Sequence, residues 1–150
     1  MEIINTKKSE EIKKILVEIY GLELEGIFLL SGKNKIRYFE GNTDIKTLSY
    51  LMKNFSIETT GIYLGKLFND EVRLSFDAAN LFKDKITKNM IEITKEEMEQ
   101  WFKGSNLQKD VKDGFYIIKH EKDVIGCAKV SNKTIYNYVP KEKRFRKGII

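Results

Sequence analysis

Ile12, Ile15, Leu16 and Ile19 recur at helical spacing, with Lys and Glu filling the positions between them. That pattern predicts an amphipathic helix over residues 9–20, stopped by Gly21. Residues 26–31 are almost continuously apolar and read as a buried strand. Gly32-Lys33-Asn34 is a turn, and residues 35–39 are a second strand, so 26–40 form a hairpin. Thr43 or Asp44 is placed to cap a helix whose apolar face is Ile45, Leu48, Leu51 and Met52. Residues 57–68 are rich in β-formers, with Gly61 and Gly65 as bends or bulges. Asn69-Asp70 signals a turn, residues 72–76 alternate with period two, and Asp77 is expected to cap a short helix through Phe82.

The pattern breaks at residues 83–89, which are polar and highly charged, and the domain boundary is placed there. Residues 90–93 restart as a strand. Thr94-Lys95-Glu96-Glu97 is a capping box that opens a helix carrying Met98, Trp101 and Phe102, ended by Gly104. Residues 114–119, 124–130 and 134–139 follow as three consecutive antiparallel strands joined by short turns. Short strands of this kind tend to close on themselves, since closure removes exposed edges. The expectation is therefore an α+β protein. Residues 1–86 would be an N-terminal α/β domain with a mainly antiparallel sheet, and 87–150 a small β-barrel with one or two helices.

Composition narrows the class. The 150 residues are 41% apolar and 33% charged, which is globular with a heavily charged surface. No apolar run approaches the length of a membrane-spanning helix, and the first residues lack the apolar block of a signal peptide. A single cysteine, Cys127, rules out an internal disulfide and favours a reducing cytoplasm. One proline and a surplus of Lys, Glu and Ile fit a thermophile with ion-pair networks. The net charge of +5 is unevenly placed. Residues 141–147 carry five Lys or Arg and one Glu, while the rest of the chain is close to neutral. A local cationic field of that kind attracts phosphate.

Enzymatic signatures are largely absent. The lone histidine, His120, falls on an expected hairpin turn beside Glu121, where a solvated role outweighs a catalytic one. Cys127, between Gly126 and Ala128 in a strand, reads as a small buried hydrophobe rather than a nucleophile. The spacings that mark zinc sites, EF-hands, P-loops and dinucleotide folds do not occur, so no metal or cofactor is expected. What remains is a set of basic residues interleaved with aromatics: Lys129, Lys133, Tyr136, Tyr138, Lys141, Lys143, Arg144, Arg146 and Lys147. Lys and Arg supply phosphate contacts, and Tyr can stack on unpaired bases. Period two puts Tyr136 and Tyr138 on one face of their strand, either inward as core or outward as a stacking surface.

Gly126-Cys127-Ala128-Lys129, a hairpin turn, then Asn137-Tyr138-Val139-Pro140-Lys141-Glu142-Lys143-Arg144 resembles the end of a PUA-type RNA-binding domain. The likeness is closest to the PUA-like domain of NOL/NOP/Sun-type RNA cytosine-5 methyltransferases. Upstream, Gly65-Lys66-Leu67-Phe68 with Val72-Arg73-Leu74-Ser75 resembles the pre-PUA domain of the Nip-seven ribosome-biogenesis factors. The resemblance spans residues 35–148 in order. It implies a pre-PUA-like domain followed by a PUA-like barrel, with RNA contacts from Lys141, Lys143, Arg144, Arg146 and Lys147. It further implies a non-catalytic role on structured rRNA or tRNA, in ribosome biogenesis or RNA modification, with an RNA methyltransferase or ribosome-assembly factor as a possible protein partner. The competing reading is an adaptor that docks a separate RNA methyltransferase through protein contacts. Methylation by this chain itself is disfavoured, because no glycine-rich turn follows a first strand to hold a methyl donor.

Overall fold

A computed structural model describes residues 2–3, 6–40, 46, 50 and 61–137 of the chain. The helix expected on Ile45, Leu48, Leu51 and Met52, the start of the strand expected from residue 57, and everything beyond Asn137 lie outside these residues.

The first sheet is antiparallel throughout. Its strands are β1 (Glu2–Ile3), β2 (Ile27–Ser31), β3 (Lys35–Phe39), β4 (Ile62–Phe68) and β5 (Glu71–Leu74), in that order across the sheet. Helix α1 (Thr6–Tyr20) turns Ile12, Leu16 and Tyr20 inward and leaves Lys and Glu outside, as its periodicity dictates. Gly21 ends the helix in a left-handed conformation. Its N–H reaches Val17 O, and that of Leu22 reaches Leu16 O, so two of the last carbonyls are satisfied. Helix α2 (Phe76–Leu81) follows β5. Its N-cap is Ser75 and not Asp77, which lies in the first turn instead. The Ser75 hydroxyl accepts from Ala78 N–H and donates to Tyr63 O across the sheet, and this second bond fixes the start of the helix.

The second sheet has the order β6 (Met90–Glu92), β8 (Gly114–His120), β9 (Asp123–Ser131), β10 (Thr134–Ile135) and β7 (Leu107–Gln108). β8, β9 and β10 form the expected antiparallel meander. β6 runs parallel to β8, and α3 (Lys95–Phe102) lies in the crossover between them, as parallel pairing requires. The sheet curls into a half-barrel, in keeping with the PUA-like architecture, with β6 and β7 as its edges among the described residues. β1 and β7 are absent from the sequence reading, because strands of two residues leave no periodicity.

One apolar cluster joins the two sheets. It runs from Ile12, Leu16 and Tyr20 through Phe28, Tyr38 and Leu64 to Phe115, Ile117, Val124 and Cys127 of β8 and β9. Opposite faces of β8 and β9 supply a second cluster, where Ile118, Ile125 and Val130 pack on Trp101. Residues 83–89, polar in the sequence, are nonetheless tied down. Ile86 is buried, and the N–H groups of Thr87 and Lys88 both reach Tyr20 O. Tyr20 is the hub of this junction. Its hydroxyl donates to Val72 O in β5 and sits 3.4 Å from Cys127 Sγ in β9. Burial pushes the phenol well above its ordinary value, so it stays a neutral donor. Tyr20→Phe deletes that donor and leaves a buried carbonyl short of a partner. The expected loss is about 1–3 kcal/mol, read from urea unfolding midpoints at unchanged slope.

Candidate nucleic-acid interface

The route to the basic tail is built from α3 and the β9–β10 hairpin. α3 opens with the expected capping box: Glu97 N–H donates to Thr94 Oγ1, and Thr94 N–H to Glu97 Oε1. Lys109 Nζ lies 2.9 Å from the same Glu97 oxygen, and Lys109 N–H donates to Lys133 O in the hairpin turn. One carboxylate thus couples the start of the helix to the tip of the hairpin. Partial burial alone would raise the Glu97 pKa, but the Thr94 N–H and the Lys109 ammonium outweigh it and hold the carboxyl below its ordinary value. A depressed folded pKa means that the stabilisation is fully present above the ordinary Glu value of about 4.3 and is lost as pH falls through the folded value. Glu97→Gln should cost about 1 kcal/mol at pH 7 and flatten the acid limb of the thermal-stability profile below the ordinary Glu value.

The hairpin turn itself is Asn132-Lys133, both in the left-handed region, which is the two-residue turn that matches strand twist. Asn132 N–H donates to Asp113 Oδ1, so the turn is braced from the loop before β8. Lys133 projects from this tip, exposed, with its ammonium 3.1 Å from Asp110 Oδ1. A solvent-exposed pair of this kind holds a lysine only weakly.

Lys129 and Tyr136 are brought together. Tyr136 N–H donates to Lys129 O, extending the β9–β10 ladder by one residue and setting the two side chains opposite each other. Tyr136 is 41% exposed, so it lies at the surface and not in the core. Its strand neighbour Ile135 takes the core position. Lys129 is exposed and also pairs with Phe115 of β8, placing its ammonium 5.7 Å from the centre of that ring. Asn137 then anchors the chain before the tail. Its N–H donates to Asn106 Oδ1, and its Nδ2 donates to the carbonyls of Trp101 and Ser105. Tyr138, Lys141, Lys143, Arg144, Arg146 and Lys147 lie beyond Asn137, outside the described residues.

Cys127 and His120, the two side chains weighed for catalysis, are each engaged within the fold. Cys127 is buried, and loss of solvation lifts its thiol to about 11, as expected of a small core residue. His120 is not the solvated turn residue that the sequence suggests. It ends β8, half-buried, with Nδ1 2.8 Å from Ile93 O. The contact arises because β6 runs beside β8, a pairing that no local signal announces. No helix among the described residues is long and apolar enough to cross a membrane.

The sequence reading missed one feature adjoining this face. Phe115 is 2% exposed because Phe68 of β4 stacks over it at 5.6 Å, and Phe68 in turn carries Lys66 and Arg73 about its ring. The cationic surface therefore continues from the half-barrel onto the first sheet.

No curated protein matches the chain. Residues 88–145, less than half of it, match the family model described as the methyltransferase RsmF PUA domain. In that stretch the chain carries a PUA-type domain, related to the PUA region of Sun-type methyltransferases and of a kind that binds RNA.

Proposed function

We propose that this protein is a non-catalytic RNA-binding protein of the cytoplasm that grips structured rRNA or tRNA during ribosome biogenesis or RNA modification. The observation that carries the reading is the PUA-type match over residues 88–145, which contains Lys129, Lys133 and Tyr136 and runs into the strongly basic tail. Lys129 and Tyr136 give the described part of the surface a cation beside an exposed ring, the pairing that suits phosphate and an unstacked base. A non-catalytic role is supported by the buried, high-pKa thiol of Cys127 and by the engagement of His120 with a backbone carbonyl. In this role the protein presents RNA to a separate enzyme, such as a methyltransferase, and leaves the chemistry to it.

Titrating the full chain against a labelled tRNA transcript and an rRNA hairpin at several salt concentrations tests the reading. Binding that weakens steeply with salt is the expected result. Absence of binding to either RNA overturns it, as does a salt-insensitive complex. An association with a methyltransferase that survives nuclease treatment, with no RNA shift, would transfer the assignment to a protein adaptor.

A further inference from the structure

Lys35, Lys66 and Arg73 stand directly opposite one another on three adjacent strands, Lys35 against Lys66 across β3–β4 and Lys66 against Arg73 across β4–β5. Like charges in directly opposed positions destabilise a sheet. Lys35, Lys66 and Lys129 meet no carboxylate at ion-pair distance among the described residues, whereas Lys8, Lys13, Lys14, Lys109, Lys119 and Lys133 each do. The acidic member of the row is Glu71, opposite Phe68, and it does not reach ion-pair distance of either lysine. A row of this kind is arranged for an anion from outside.

The aromatic at its centre specifies which anion. Phe68 is 37% exposed although it stacks on the buried Phe115, and Lys66 Nζ and Arg73 Cζ lie 5.3 and 5.8 Å from its ring centre. Lys129, which faces Phe115 across the β8–β9 ladder, reaches the ring of that other member of the stack. Cations from both sheets therefore border the Phe68–Phe115 stack, of which Phe68 is the open ring. A simple anion site has no use for the ring, and an apolar site has no use for the cations. A nucleotide strand uses both, with bases on the ring and phosphates on the flanking cations.

We propose that the Lys35–Lys66–Arg73 row and Phe68 bind a single-stranded stretch of RNA that crosses from the half-barrel onto the first sheet, one base resting on Phe68. The proposal rests on the RNA-binding reading above and extends it onto residues that the PUA-type match does not cover. The base packs on the open part of Phe68, and the flexible Lys66 side chain swings from the ring to the adjoining phosphate. Lys129 takes the phosphate on the other side.

The test uses the full chain with a fluorescein-labelled 12-nucleotide single-stranded RNA of mixed sequence and a hairpin carrying the same strand as an overhang. Phe68→Ala should weaken both complexes at least about five-fold, and Phe68→Tyr, which keeps a stacking face, should stay within about two-fold of the parent. Lys66→Ala with Arg73→Ala should lower the salt slope by about 1.4. A third arm needs no substitution: with 4-thiouridine in the strand, crosslinks should fall on the segment holding Phe68. Binding of the parent chain that is indifferent to all these substitutions, with crosslinks confined to residues beyond 137, overturns this proposal and leaves the RNA-binding reading standing. Failure of the parent chain to bind either RNA removes both. If the double variant loses binding to polyglutamate but keeps binding to RNA, the row serves an acidic protein and the proposal is wrong.

Discussion

Changing Lys141, Lys143, Arg144, Arg146 and Lys147 together to Ala is expected to abolish most RNA affinity while leaving the melting temperature unchanged. The five side chains hold nearly all the excess charge of the protein. If each meets one phosphate, the five together contribute about −3.5 to −4.5 to the log–log salt slope of the parent complex, from about 0.7–0.9 released counterions per contact. Between 50 and 200 mM salt the parent complex should then weaken by about a hundred-fold or more, and the variant complex by far less. Stability should hold because the apolar clusters of the described residues are complete by Ile135 and the five changed side chains are all charged, a type that rarely contributes to a core. Lys14→Ala is the matched control. Lys14 is exposed on α1 beside Glu18, away from the hairpin, and its loss should leave the slope as it was. A quintuple variant with the parent slope would move the contact elsewhere, with the row around Lys66 as the first place to look.

Features fixed by neighbours in sequence could be read in advance. The Thr94–Glu97 capping box, the Gly21 stop and the inward stripe of α1 all depend on residues within four positions of each other. Ser75 and Asp77 show where that reach ends. Both residue types cap helices well, and the choice falls to Ser75 because its hydroxyl also meets Tyr63 O, twelve residues away. The position of His120 depends on Ile93, 27 residues distant, through a parallel strand pairing. The interface divides in the same way. The clustering of positive charge in the tail is a property of seven consecutive residues. Period two put Tyr136 and Tyr138 on one face but left open which way that face points; for Tyr136 it is decided by Ile135 entering the core. The row of Lys35, Lys66 and Arg73 exists only once three strands are in register, and Phe68 joins it to Lys129 only through Phe115.

Trp101→Ala is expected to be among the most damaging single substitutions, at about 3–5 kcal/mol and a fall in melting temperature on the order of 10 °C. Trp101 is 1% exposed and fills the second cluster between α3 and the half-barrel, with Gly126 beneath its indole. Trp101→Phe should cost much less. The indole N–H has no hydrogen-bond partner among the described residues, so removing it breaks no bond there and ends the cost of a buried, unpaired donor. The shape of the transition carries the structural point. β8 and β9 present Ile118 and Ile125 to Trp101 on one face, and Phe115, Ile117 and Cys127 to the first sheet on the other. Emptying one face loosens the strands on which the other face is built. Trp101→Ala should therefore shift the whole urea transition, followed by circular dichroism, to a lower midpoint with the slope unchanged. Two resolved transitions, the lower one moving alone, would mean that the half-barrel melts apart from the sheet carrying Phe68, and a strand of RNA laid across both would then be what holds them in register.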